Sequence, residues 1–140
     1  MYNPTRNEAR DFFFDAWSHY RASEPLTALE QVAVAIIGLH PEYHALLDDR
    51  ERNLDRDWRP EQGETNPFLH LSLHLSVAEQ LATDRPAGIR AEFERLATKH
   101  GDRHAALHDL LDCLGETMWR AQRDRVAPDP AAFLELVRRR

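Results

Sequence analysis

Asn66-Pro-Phe-Leu-His-Leu-Ser-Leu-His-Leu-Ser-Val-Ala-Glu-Gln-Leu-Ala-Thr83 is the stretch on which the fold class turns. From Phe68 to Val77 apolar and polar residues alternate as in a half-buried strand. The run continues through Ala78, Leu81 and Ala82, however, and it opens on Asn66 and Pro67, good N-cap and first-turn residues. A helix to about Thr83 is therefore predicted. At about 100° per residue, Ser72, Ser76, Glu79 and Gln80 gather on one side, while Leu71, Leu73, Leu75, Val77, Ala78 and Leu81 fill the other. His70 and His74, one turn apart, fall inside the apolar arc and are expected to point into the core.

The rest of the chain agrees with helix. Leucine and alanine outnumber valine, isoleucine and threonine. Thr5 with Glu8 reads as a capping box for a first helix to about Arg21, on which Phe13, Trp17 and Tyr20 recur at helical spacing. Ser23 and Pro25 are expected to start a second helix through about Leu39, with Leu29, Val32, Ala33, Ile36 and Leu39 as its apolar stripe. Pro41 interrupts it, and Glu42 to Leu47 reads as one or two further turns. After the 66–83 helix, Asp84, Arg85 and Pro86 start another, which buries Ile89, Phe93 and Leu96 and ends at Gly101. Asp102 caps a long helix to about Asp124, with Leu107, Leu110, Leu111, Leu114 and Met118 as its predicted buried stripe; Asp129 and Pro130 open a short last one. Residues 48–66 are dense in charge, hold Pro60 and Gly63, and show no period beyond the anchors Leu54 and Trp58, so a long loop is expected. The prediction is one all-α domain over residues 1–140, a bundle of about five to six helices with one charged loop.

Composition narrows the function classes. The 140 residues suit one domain, and 42% hydrophobic with 30% charged residues fits neither a disordered nor a membrane chain. No apolar run is long enough to span a bilayer and the start is polar, so a cytoplasmic location is expected. The net charge of -6 argues against nucleic-acid binding. A small-molecule substrate and a second copy of the chain remain as candidate partners. Cys113 is the only cysteine, which excludes a disulfide framework and thiolate metal cages, and it reads as an inert core thiol.

Against one cysteine stand eight histidines. Six form pairs of identical spacing: His40 and His44, His70 and His74, His104 and His108. On a helix, four-residue spacing stacks two imidazoles on one face, a recurrent metal-chelating arrangement, and a bundle can bring inward side chains from several helices onto one centre. Imidazoles without thiolates suit zinc, iron, nickel or copper better than magnesium or calcium. The candidate ligands are thus His70 and His74 at the centre, joined by His104 or His108 and by His40 or His44, with Glu30 as a candidate carboxylate. The other reading of each pair is a core histidine bonded to a carbonyl or neighbouring side chain. Leu71 follows His70, so the His-Glu-x-x-His peptidase motif is absent. His19 lies in a mostly polar stretch and His100 at a helix end, and neither is assigned chemistry. Trp58 is offered as an anchor for a lid, and Trp119 as ordinary packing or a pocket wall.

The blocks His40-Pro-Glu-Tyr-His44, the 66–74 run with Glu79-Gln80-Leu81, and the Leu114 to Arg123 stretch ending Met-Trp-Arg-Ala-Gln-Arg resemble an uncharacterised bacterial family catalogued as domain of unknown function 1841. The resemblance runs from Asn3-Pro4 to Pro128-Asp129 and implies a cytosolic bacterial protein, without implying a reaction. From the residues themselves the leading expectation is a histidine metal site supporting hydrolysis first or iron redox chemistry second. The competing expectation is a non-enzymatic interaction module whose histidines are structural or respond to pH.

Overall fold

A computed structural model describes residues 6–140. Among them it contains eight α-helices and no strand: α1 (Arg6–Arg21), α2 (Ala28–Gly38), α3 (His44–Leu47), α4 (Arg50–Asn53), α5 (Pro67–Thr83), α6 (Ile89–His100), α7 (Arg103–Asp124) and α8 (Pro130–Arg138). The all-helical class is as predicted, but the helix number is not. Beyond the six, α3 is the further turn expected within Glu42 to Leu47, and α4 is a single turn inside the segment expected to be loop. Thr5 of the expected first capping box lies outside the described residues.

The contacts divide the chain into two units, one up to Leu75 and one from Ser76, with the division falling inside α5. In the first unit α1 packs on α2 and α3. Phe13, Phe14, Ala16 and Trp17 from α1, Ala33, Ile36 and Ile37 from α2, and Phe68, Leu71 and Leu75 from α5 form its buried core, joined by Leu47. The start of α5 is set as its residues dictate: Asn66 Oδ1 accepts from the amides of Phe68 and Leu69, which would otherwise lack partners.

Helix α2 begins later than expected and buries a different face. Its N-cap is Thr27, and Thr27 and Glu30 form a reciprocal capping box, so Ser23 and Pro25 belong to the connection. Leu29, Val32 and Leu39, three of the five predicted stripe residues, are exposed, whereas Glu30, Ala33, Ile36 and Ile37 are buried. The helix is apolar nearly all round, which leaves no polar face to set its phase.

The 48–66 segment is not bare loop. It contains α4 and a 3-10 turn at Pro60–Gln62. Arg10, 2% exposed on α1, fastens it: Nη1 donates to the carbonyls of Leu54 and Arg56 at 2.8 Å each, while the guanidinium lies over the rings of Trp58 and Phe68. Trp58 itself packs edge-on against Phe68.

In the second unit α7 packs on α6 and α8, and α6 on α8. Its core includes Ile89, Phe93, Leu96, Leu110, Leu111, Leu114, Phe133 and Val137. Helix α6 starts at Ile89 rather than at Asp84, because Gly88, at φ 98, is its N-cap. Asp84 still serves that end, accepting from the amides of Gly88 and Arg90. On α7 Thr117 is buried where Met118 was expected; its hydroxyl donates to the Cys113 carbonyl, which lets a polar residue face inward. Met118 and Trp119 are exposed, with Arg123 over the Trp119 ring. No helix of the described residues is long and apolar enough to cross a membrane.

Candidate metal centre

The site starts at the end of α2. The last carbonyls of a helix lack the usual i+4 amide donors; here those of Ile36 and Ile37 accept from the amides of Leu39 and His40 and, in addition, from histidine side chains. His40 Nδ1 donates to the carbonyl of Ile36 at 2.8 Å, and His44 Nε2 to that of Ile37 at 3.0 Å. A carbonyl can only accept, so each bond assigns a proton. In its neutral form His40 carries hydrogen on Nδ1, and its Nε2 is an acceptor.

That Nε2 meets α5. His70 Nε2 lies 3.1 Å from it, and with His40 as acceptor the proton of this bond belongs to His70. His74, one turn along α5, completes a triad: its ring is 4.7 Å from that of His40 and 4.9 Å from that of His70. One ring nitrogen from each of His40, His70 and His74 lies within 4.8 Å of the others. His40 and His74 are buried at 3% and 2% exposure, and His70 is half-buried. Two ligands of a tetrahedral zinc ion with bonds near 2.0 to 2.1 Å stand about 3.3 Å apart. The His40–His70 pair is already within a few tenths of that separation. For these two nitrogens to ligate one ion, His70 would have to carry its proton on Nδ1, and the spread of up to 4.8 Å that includes His74 would have to close.

The expected inward face of α5 is therefore correct at both histidines, and one member of the first pair joins them. His44 is not part of this group; its Nε2 is engaged by Ile37, and its ring packs 4.6 Å from that of Trp17. Glu30 also supplies no carboxylate there. Its Oε1 accepts from the Thr27 amide, and its Oε2 bonds His19 Nδ1 at 2.7 Å. His19, to which the sequence assigned nothing, thus links α1 to α2. Its bond to Glu30 raises the His19 pKa above the usual histidine value. The Thr27 amide, followed by His19, holds the Glu30 carboxyl below the usual range.

In the second unit His104 and His108 lie half-buried on α7 with ring centroids 4.3 Å apart, as their spacing predicts. His100 bonds Asp109. Cys113 is buried, and burial pushes its thiol up, which agrees with an inert core residue.

Tyr43 is the site residue that sequence reasoning missed. Its ring lies parallel to His40, at 8° with centroids 5.5 Å apart, and meets His70 edge-on at 6.2 Å. Burial pushes its phenol up from the usual 10. The available signal was its position inside the His40–His44 block.

A family profile described as Domain of unknown function (DUF1841) matches residues 5–139, nearly the whole chain. No curated protein and no solved structure matches.

Proposed function

We propose a transition-metal-binding function for this chain, which belongs to the family described as Domain of unknown function (DUF1841). One observation carries the reading: ring nitrogens of His40, His70 and His74 converge within 4.8 Å. Three imidazoles with no thiolate favour zinc, iron or nickel. If one coordination position remains open to water, the ion acidifies that water, which makes hydrolysis the first chemistry to assay and iron-dependent redox chemistry the second.

A second reading has its own support. The 3.1 Å His40–His70 bond and the His40–Ile36 cap already give these rings partners, as a structural or pH-responsive histidine core requires. Elemental analysis of protein purified without an affinity tag separates the two. The metal reading expects a stoichiometric transition metal that is lost in the His70→Ala, His74→Ala double variant while the helical circular dichroism persists. It is refuted by metal-free protein whose melting is indifferent to chelator and to added zinc, iron or nickel. His104 and His108, which the sequence offered for the same centre, enter as a separate double alanine variant. Unchanged stoichiometry and affinity assign the ion to the triad alone, and a loss gives α7 a share in it.

A further inference from the structure

We propose that Tyr43 is a positioning residue of this centre: its ring, stacked on His40, holds that imidazole in the plane from which Nε2 meets His70. The inference rests on the metal-binding reading above. His40 has left the helix, with φ −128 and ψ 69, so α2 no longer dictates where its side chain points. The Nδ1 bond to Ile36 and the Nε2 contact with His70 hold two ring atoms, but they do not by themselves set the tilt of the ring about the line joining them. A second ring parallel to the first, at 8°, removes that freedom.

The chain delivers Tyr43 there by local means. Pro41 opens a 3-10 turn at Pro41–Tyr43 that is closed by the Tyr43 amide donating to the His40 carbonyl at 3.0 Å. This turn folds the chain back on residue 40, and the Tyr43 ring lies parallel to that of His40. The same ring makes a T-shaped contact with His70 at 6.2 Å, so it touches both partners of the 3.1 Å contact. It is half-buried, with one side against the histidines.

Tyr43→Phe keeps the stacked ring and Tyr43→Leu keeps apolar bulk without it. Two readouts apply: the histidine nitrogen-15 spectrum of the metal-free protein, which reports the His40 tautomer, and a cobalt(II) titration followed by the visible spectrum. Tyr43→Phe is expected to match the wild type in both. Tyr43→Leu is expected to show a mixed His40 tautomer and about tenfold weaker cobalt binding, the lower end of what losing an outer-shell partner costs, with unchanged circular dichroism. The proposal is overturned if Tyr43→Leu keeps the wild-type tautomer and affinity. It is equally overturned if Tyr43→Phe falls as far as Tyr43→Leu, because the hydroxyl would then be the operative group. Should the wild type take up no cobalt, the metal reading fails, and the tautomer comparison still decides the role of Tyr43.

Discussion

Replacing Arg10 by alanine tests whether the charged 48–66 segment is a fastened part of the first unit. Arg10 is 2% exposed, and its guanidinium makes two 2.8 Å bonds to carbonyls, of Leu54 and Arg56, from one nitrogen. Hydrogen bonds from a charged donor contribute roughly 1.5 to 3 kcal/mol each, and the stacking on Trp58 and Phe68 adds about 1 kcal/mol. Alanine recovers part of this, because the buried charge no longer has to be desolvated and water reaches the freed carbonyls. A net loss of about 3 kcal/mol is expected, which lowers the urea midpoint by about 1.5 M if the slope is near 2 kcal/mol/M. Arg10→Lys retains the charge but not the planar fork, and should lose roughly half as much. Amide hydrogen exchange read along the 54–60 backbone should accelerate in Arg10→Ala before global unfolding does. A loss below about 1 kcal/mol, or a lysine variant as stable as the wild type, refutes the assignment of Arg10 as the fastener.

Three further outcomes follow from the same contacts. Thr27→Ala removes one half of the α2 capping box and should cost about 1 kcal/mol by urea denaturation, with Thr27→Ser restoring most of it. The raised His19 pKa gives a contribution that is present below the unfolded value near 6.5 and lost as pH rises through the folded one. The lowered Glu30 pKa gives one that is present above about 4.5 and lost as pH falls through its own folded value. The stability gap between wild type and His19→Gln should therefore be widest between about pH 4.5 and 6.5 and narrow as pH rises through the raised folded His19 value; a gap independent of pH counts against the pair. Zinc at about a hundred times its dissociation constant stabilises a folded-state site by about 2.7 kcal/mol and should raise the melting temperature by roughly 5 to 10 °C. The His70→Ala, His74→Ala double variant should lack that rise, and an equal rise in both proteins would place the ion elsewhere.

What the sequence made legible depended on whether the deciding contact was local. The start of α5 follows from Asn66 and Pro67, and Asp102 and Asp129 cap α7 and α8 as expected, accepting from amides two residues on. In α2 the local pattern carried little phase information, and the buried face is set with Glu30 bonded across to His19 eleven residues back. Arg10 reaches 44 and 46 residues along the chain, beyond any periodicity argument. Within the site, the inward direction of His70 and His74 was readable from their arc on the wheel. The arrival of His40 beside them depends on how α2 and α5 pack.

The two histidines after α2 show why equal spacing does not imply equal function. Both cap a carbonyl at the same helix end, yet His40 uses Nδ1 and His44 uses Nε2. The nitrogen that each does not spend on the cap decides what else it can do. In His40 that is Nε2, the far tip of the ring, which extends to His70. In His44 it is Nδ1, next to the side-chain stem, on a ring packed against Trp17. A capping histidine can therefore also ligate a metal when the cap consumes Nδ1, the arrangement in which a carbonyl orients a metal-bound imidazole and raises its basicity. On the metal-binding proposal His40 would do two jobs, and replacing it would remove a proposed ligand and the Ile36 cap together. Loss of metal in such a variant would leave the two effects mixed. His70 and His74, set within α5 itself, are for that reason the residues on which the metal assignment is best tested.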